Sequence, residues 1–398
     1  SWELGTRAQA LLDLNVPNFS VFSSTGLPPS TTVPSNTTQA MAPVFSIAHS
    51  VVSALKNTSG PTPLMAGDGA AGDPPSIGVA VLLANWTGQA AMDGLDYAAA
   101  AKNQLDYLLE VVPRTSDGAI SHRVAQVQLW SDFIFMVPPF LANYGLLTSN
   151  TSLITEAYNQ IKLYRNYLLD TQAKNLWKHV VLGNNTSDGG NDEGHWSTGN
   201  GWAAAGMLRV LATMKNSPFS KSFSSQQKDL ASWVKEIHTA MFHNLDSSNI
   251  FTNYADQPIN NTGMFYDAAS TMLIASTVYR FSLLWNDHSQ IPNAEKCRQA
   301  LFATTISNNS FMADAVVSGS PISDLVHFTS DGWLTPVVNP DQFGVQGQQS
   351  PESEAFTLEL QAAYSEWVAG GSLSGSVRIK AVTWAWIAAC VVLGSLLA

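Results

Sequence analysis

Asp132 is the one charged side chain between Val127 and Leu147, a run otherwise built from aromatic, aliphatic and neutral polar residues. A carboxyl group set among such neighbours loses hydration, and desolvation disfavours its charged form, so its pKa is expected to rise. A carboxyl that keeps its proton near neutral pH can act as a general acid, the property that separates one acid from another in glycosidases. On a helical wheel Leu129, Phe133, Met136, Val137 and Phe140 share a face flanked by Asp132, so the run is predicted as one helix. A carboxylate tied up by hydrogen bonds within helix packing gives the same pattern. Just upstream, Arg114, Asp117, His122 and Arg123 lie on a Ser/Gly loop that opens at Pro113.

Two other stretches carry groups of the same kind. Asp73 opens Asp73-Pro74-Pro75-Ser76-Ile77-Gly78 ahead of a helix start, where it is either a second site carboxylate or a cap that complements the helix dipole. Gly194-His195-Trp196-Ser197-Thr198-Gly199-Asn200-Gly201-Trp202 enters another helix with two tryptophans, a histidine and an amide. Aromatic faces stack on sugar C–H surfaces while amides and carboxylates bind hydroxyls, so Trp130, His122, His195, Trp196, Asn200 and Trp202 suit a sugar site. Ordinary turn chemistry with buried tryptophans is the alternative. Asp188, Asp192 and Glu193 lack calcium-loop spacing and read as a solvated loop. There is no His-Glu-x-x-His helix, no phosphate-cradling Gly-x-x-x-x-Gly-Lys and no Gly-x-Ser-x-Gly elbow, so neither metal nor cofactor is expected. His122, His179 and His195 are scattered and lack ligand-spaced neighbours.

Composition narrows the partners. The chain has 398 residues, 45% of them hydrophobic, and a net charge of −11, so it can bury a large core and offers no basic surface for nucleic acid. Nine Asn-x-Ser/Thr sequons, at Asn18, Asn36, Asn57, Asn85, Asn150, Asn184, Asn185, Asn260 and Asn308, suit a glycosylated secretory protein. The two cysteines, Cys297 and Cys390, cannot form a disulfide framework.

Positioning these groups falls to helices. Apolar residues recur at helical spacing over Val44–Lys56, Ile77–Trp86, Leu95–Val112, Val127–Leu147, Leu153–Thr171, Gly199–Met214, Gln226–Phe242, Gly263–Leu284, Ala294–Ser307, Ser323–Thr335 and Glu352–Val368, with a first helix within 5–21. Met264–Leu284 is apolar round most of its circumference and is expected to be buried on all sides. The pattern predicts an all-α protein, one catalytic domain over 1–370 built as a barrel of paired helices. Residues 371–398 form a polar spacer and an apolar stretch, which after the small residues Ala369-Gly370-Gly371-Ser372 match a glycosylphosphatidylinositol anchor signal. A mature, cleaved N-terminus at Ser1 and a cell-surface location are the corresponding expectations.

Three motifs in order carry a family resemblance: Pro113-Arg114-Thr115-Ser116-Asp117-Gly118 with His122; Gln128-Leu129-Trp130-Ser131-Asp132 with Phe135-Met136 and Pro139-Phe140; and Trp196 with Gly199-Asn200-Gly201-Trp202. Together they resemble glycoside hydrolase family 105, the unsaturated rhamnogalacturonyl hydrolases, close kin of the unsaturated glucuronyl hydrolases. The resemblance runs from about Ile77 to Leu284. It implies an (α/α)6 six-hairpin barrel acting on oligosaccharides whose nonreducing end is a 4,5-unsaturated uronate. In that family an acid protonates C4 of the vinyl ether, water adds at C5, and the hemiketal opens; the catalytic aspartate falls on Asp132 and a second site aspartate on Asp73.

One position departs from the family pattern. Where the family commonly has arginine, this chain has Thr198, which cannot supply a guanidinium fork to a carboxylate. Arg114, Arg123 or Lys178 are the candidates to replace it. The other readings are a six-hairpin glycosidase for a saturated uronoside or neutral sugar, and a cell-wall glycan-binding protein without turnover. An oligosaccharide is the expected partner of a monomer that meets the membrane only through its lipid anchor.

Overall fold

The computed structural model describes residues 1–55, 59–66, 69–184, 190–304 and 324–371. Among these the strands are confined to three antiparallel two-stranded pieces, and helices supply the rest of the regular structure, as the apolar periodicity predicts. The described residues fall into two compact units, one drawn from Ser1–Gly194 with Trp202–Lys235, the other from His195–Gly201 with the described residues after 235.

The first unit contains α1 (Trp2–Asn15), α2 (Thr38–Ala54), α3 (Pro75–Trp86), the short α4 (Ala90–Asp93), α5 (Tyr97–Asp106), the short α6 (Phe133–Met136), α7 (Pro138–Leu147) and α8 (Thr151–Leu168). Every residue of α3 from Pro75 to Ala84 is buried, and the helix packs against α1, α2, α5 and α7. Each large aliphatic side chain sunk there stabilises the unit by about 1.5–3 kcal/mol. Gly78 is what lets α3 meet α7 so closely, because a Cβ there would lie 2.3 Å from Cδ2 of Phe140. Arg209 donates to Asp13 at 2.7 Å with both side chains buried, an ion pair that would be costly to break from one side.

Helices α9 (Ser197–Asn216) and α10 (Ser224–His243) supply residues to each unit. The second unit adds α11 (Ala268–Trp285), α12 (Ile291–Leu301) and α13 (Pro351–Ala369). As expected of an all-round apolar helix, α11 is buried along nearly its whole length, packed on α12 and α13. A hairpin of Val337–Asn339 and Gln342–Gly347 precedes α13 and has no counterpart in the predicted pattern.

Two predicted helices are corrected. Val127–Leu147 is broken: Leu129–Trp130 is a short strand paired with Val180–Val181, and α6 and α7 follow as separate helices. The break has a local cause. Pro138 and Pro139 lack backbone N–H groups and are best placed in a first helical turn, so they start α7 and do not extend α6. The described part of Ser323–Thr335 is a turn closed by mutual hydrogen bonds of Thr329 and Trp333 around Asp331-Gly332, with Gly332 at φ 95°. That positive φ suits glycine and ends any helical pattern.

Among the described residues no helix is long and apolar enough to cross a membrane. Residues 372–398, on which the anchor-signal expectation rests, lie outside the described residues with Cys390, as do the sequons at Asn57, Asn185 and Asn308. Asn18, Asn36, Asn85, Asn150, Asn184 and Asn260 are all exposed. Cys297 is buried in α12.

Candidate active site

The break in the 127–147 run builds the site. Trp130 pairs with Val180, and Ser131 N–H donates to the carbonyl of His179 at 2.9 Å, so Asp132 leaves the ladder beside His179. On the other side of that strand Val180 and Asp192 exchange backbone hydrogen bonds of 2.7 and 3.0 Å, and His179 N–H donates to the carbonyl of Gly194. Three short chain segments distant in sequence thus bring Asp132, His179 and Asp192 into one row. Nε2 of His179 lies 3.4 Å from Oδ2 of Asp132, and Nδ1 lies 2.9 Å from Oδ2 of Asp192. The imidazole is fully buried, whereas the Asp132 side chain keeps 14% of its surface exposed, enough for a carboxylate oxygen to meet a ligand.

Asp73 joins through His122. Residues 71 and 72 both donate to the carbonyl of His122, at 2.7 and 3.0 Å, which fastens the Asp73 segment to the His122 loop. Nε2 of His122 then lies 3.3 Å from Oδ1 of Asp73. Gly72 is required for that approach, since a Cβ would sit 2.4 Å from Nδ1 of His122. The Asp73 side chain does not cap α3; its main-chain carbonyl accepts from the amide and hydroxyl of Ser76, leaving the carboxylate to the imidazole. Trp130 ties the two pairs together. Its ring stacks on His122 with centroids 5.0 Å apart and meets His179 edge-on at 5.3 Å, while its Nε1 donates to Gln128 Oε1 at 2.7 Å.

The acidity of Asp132 runs opposite to the expectation. Burial pushes its carboxyl up, but the adjoining imidazole of His179 and the charge of His122 outweigh burial and hold it below the usual carboxylate range. Burial likewise pushes His179 down, and the flanking Asp132 and Asp192 outweigh that and raise it. The missing element in the sequence argument was the partner: a buried carboxylate beside an imidazole leaves the proton on nitrogen. Asp192, read as part of a solvated loop, is instead the second partner of that imidazole.

The other predicted residues have their own partners within each unit. Trp202 is fully buried against Phe135, with ring centroids 4.5 Å apart, and so contributes packing in the first unit. Nη1 of Arg114 donates to the Gly118 carbonyl at 3.1 Å and lies 3.5 Å from Glu156, which commits it to its own turn and to α8. In the second unit His195 lies 2.8 Å from Asp256, Trp196 Nε1 donates to Asn253 at 2.9 Å, and Asn200 donates to the carbonyl of Trp196 at 3.0 Å. Trp196 and Asn200 are buried there. Thr198, at the departing family position, is fully buried and donates to Asp267 at 3.0 Å. Among the described residues no group of three or more His, Cys, Asp or Glu side chains could hold a metal ion.

The family model for Glycosyl Hydrolase Family 88 matches residues 79–333. None of the curated proteins matches the sequence. Among solved structures, a family 105 glycoside hydrolase of C. acetobutylicum is similar at 15% identity and a TM-score of 0.65, over 92% of this chain and 94% of that one. A family 88 glycosyl hydrolase from Bacteroides vulgatus matches at 12% identity and a TM-score of 0.58, over 92% of each chain. The unsaturated glucuronyl hydrolase of Bacillus sp. GL1, responsible for the degradation of glycosaminoglycan, matches at 12% identity and a TM-score of 0.52, over 92% and 95%. At these identities the likeness is one of fold, and the all-α (α/α)6 expectation holds with it.

Proposed function

The chain belongs to Glycosyl Hydrolase Family 88 and is a glycoside hydrolase, and from that premise we propose that it acts on oligosaccharides ending in a 4,5-unsaturated uronate. The observation that carries this reading is Asp132, a carboxylate with an accessible edge and a proton-bearing imidazole at its back. Hydration of a vinyl ether needs one group that gives a proton to C4 and then takes one from the water adding at C5. Asp132 fills both roles in turn. That is distinct from displacement at the anomeric carbon by two carboxylates. The half-buried ring of Trp130 offers a face to the sugar, and Asp73 with His122 lines the same cluster. Unsaturated glucuronyl hydrolases among the structures of similar fold support the substrate class.

The test is a screen of lyase-generated oligosaccharides that follows loss of the ultraviolet absorbance of the conjugated double bond. Turnover of at least one unsaturated rhamnogalacturonan, glucuronan or glycosaminoglycan fragment is expected. Turnover confined to saturated uronosides or neutral glycosides would replace the substrate class while keeping the hydrolase.

The same proposal places the protein at the cell surface, glycosylated and lipid-anchored. Exposure of all six described sequon asparagines and the pattern of small residues, spacer and apolar stretch over 369–398 support it. Release of glycosylated protein from membranes by phosphatidylinositol-specific phospholipase C is the expected result; retention until detergent is added contradicts the anchor.

A further inference from the structure

We propose that Asp192 is a positioning residue for the reaction, holding His179 so that its Nε2 faces Asp132 and returns a proton to it between turnovers. The inference deepens the reading of Asp132 as acid and base, and rests on it.

Asp192 is itself held in place. Its Oδ1 accepts from the amide of Gly194 at 3.1 Å, its backbone pairs with Val180, and its Oδ2 lies 2.9 Å from Nδ1 of His179. A carboxylate at Nδ1 fixes a proton there, so any second proton on the ring sits on Nε2, the nitrogen 3.4 Å from Asp132. The edge of Trp130 closes one side of the ring. The charged groups facing His179 are Asp132, at the start of α6, and Asp192, from the 190–194 segment; beyond Asp132 lie His122 and, on α8, Tyr164.

The step balances. The Nε2–H bond of the imidazolium breaks and an O–H bond forms on Asp132, leaving a neutral His179 that keeps its Nδ1–H bond and donates it to Asp192. Asp132 gives that proton to C4, and the cation at C5 takes water. The proton released by the water returns to Asp132 and thence to Nε2, so one water is consumed and the protein is unchanged. The raised pKa of His179 agrees with a resting proton on nitrogen.

The experiment compares the full-length wild type with Asp192→Asn and Asp192→Glu. Asp192→Asn is expected to lower kcat by roughly tenfold to a hundredfold, less than loss of the acid–base group itself, with KM little changed. Because the imidazole loses one of its two carboxylates, the basic limb of the kcat–pH profile should move down by roughly 1 pH unit or more. Asp192→Glu should recover part of both. Nitrogen-15 NMR of His179 reads the same effect without substrate: protonated Nδ1 and a raised titration in the wild type, a lower titration in Asp192→Asn. A packing role alone leaves the basic limb and the His179 titration in place, and that result overturns the proposal. Absence of wild-type turnover on any unsaturated uronide counts against the substrate class, while the NMR comparison still decides the role of Asp192.

Discussion

Asp132 in the first unit and Asp267 in the second are aspartates at the N-terminal ends of helices, sunk among apolar neighbours, yet their acidities are displaced in opposite directions. Asp267 accepts from the amides of Ala269 and Val338 through Oδ1 and from Ser270 N–H and the Thr198 hydroxyl through Oδ2, all between 3.0 and 3.2 Å. Its side chain is fully buried, and burial still pushes the carboxyl above the usual range despite those donors. Asp132 has no cap hydrogen bond, an accessible edge and an imidazole behind it, and it is held below that range. Burial alone therefore does not mark a catalytic acid. A carboxylate whose lone pairs are all filled by amides and a hydroxyl is a structural cap, whereas one that shares a proton with a base and keeps an open side can do chemistry.

The contrast can be broken at the cap first. Asp267→Ala strands the Thr198 hydroxyl and three buried amides, and should cost at least about 3 kcal/mol of stability, measured by urea denaturation. Thr198→Arg is next. A threonine fully buried against Asp267 has no room for a guanidinium chain, so a loss of about 1–3 kcal/mol is expected, with no gain in uronate affinity. The sequence alone showed only a threonine where the family commonly has arginine; its burial against Asp267 is set by the fold.

That difference shows where sequence reasoning reached. The lone charge in Val127–Leu147 marked Asp132, and the spacing of apolar residues marked α3, α8, α11 and α13 within about five residues, because both signals are local. His179 and Asp192 were out of reach. They meet Asp132 through backbone pairing of three segments, and only that pairing turns a dry carboxylate into half of an ion pair. The surroundings of Trp202 and Asn200 were equally out of reach, since packing on Phe135 and a bond to the Trp196 carbonyl depend on the fold. Two prolines at 138 and 139 were the available signal for the helix break, and they outweigh the hydrophobic periodicity around them.

A smaller effect sharpens the comparison from the imidazole side. The folded pKa of Asp132 is below its ordinary 3.8, so its pairing stabilises the fold above that pH and is lost as pH falls through the lowered value. The folded pKa of His179 is above its ordinary 6.5, so its contribution is complete below that pH and is lost as pH rises through the raised value. The melting-temperature difference between the wild type and His179→Gln should therefore be greatest between 3.8 and 6.5 and shrink on both sides. Smallest of all is Arg114→Ala. Its partly exposed contact with Glu156 is worth about 0–1 kcal/mol, and KM for an unsaturated uronide should not change.

The most direct test sets Asp132→Asn beside Asp267→Asn on one unsaturated oligosaccharide, reading kcat and melting temperature for each. Asp132→Asn is expected to lose roughly 10²–10⁴-fold in kcat while melting near the wild type, because an amide keeps the shape but cannot carry the proton. Asp267→Asn is expected to melt clearly lower and to keep most of its kcat while folded. Near wild-type turnover by Asp132→Asn would contradict the assignment of the chemistry to this carboxylate.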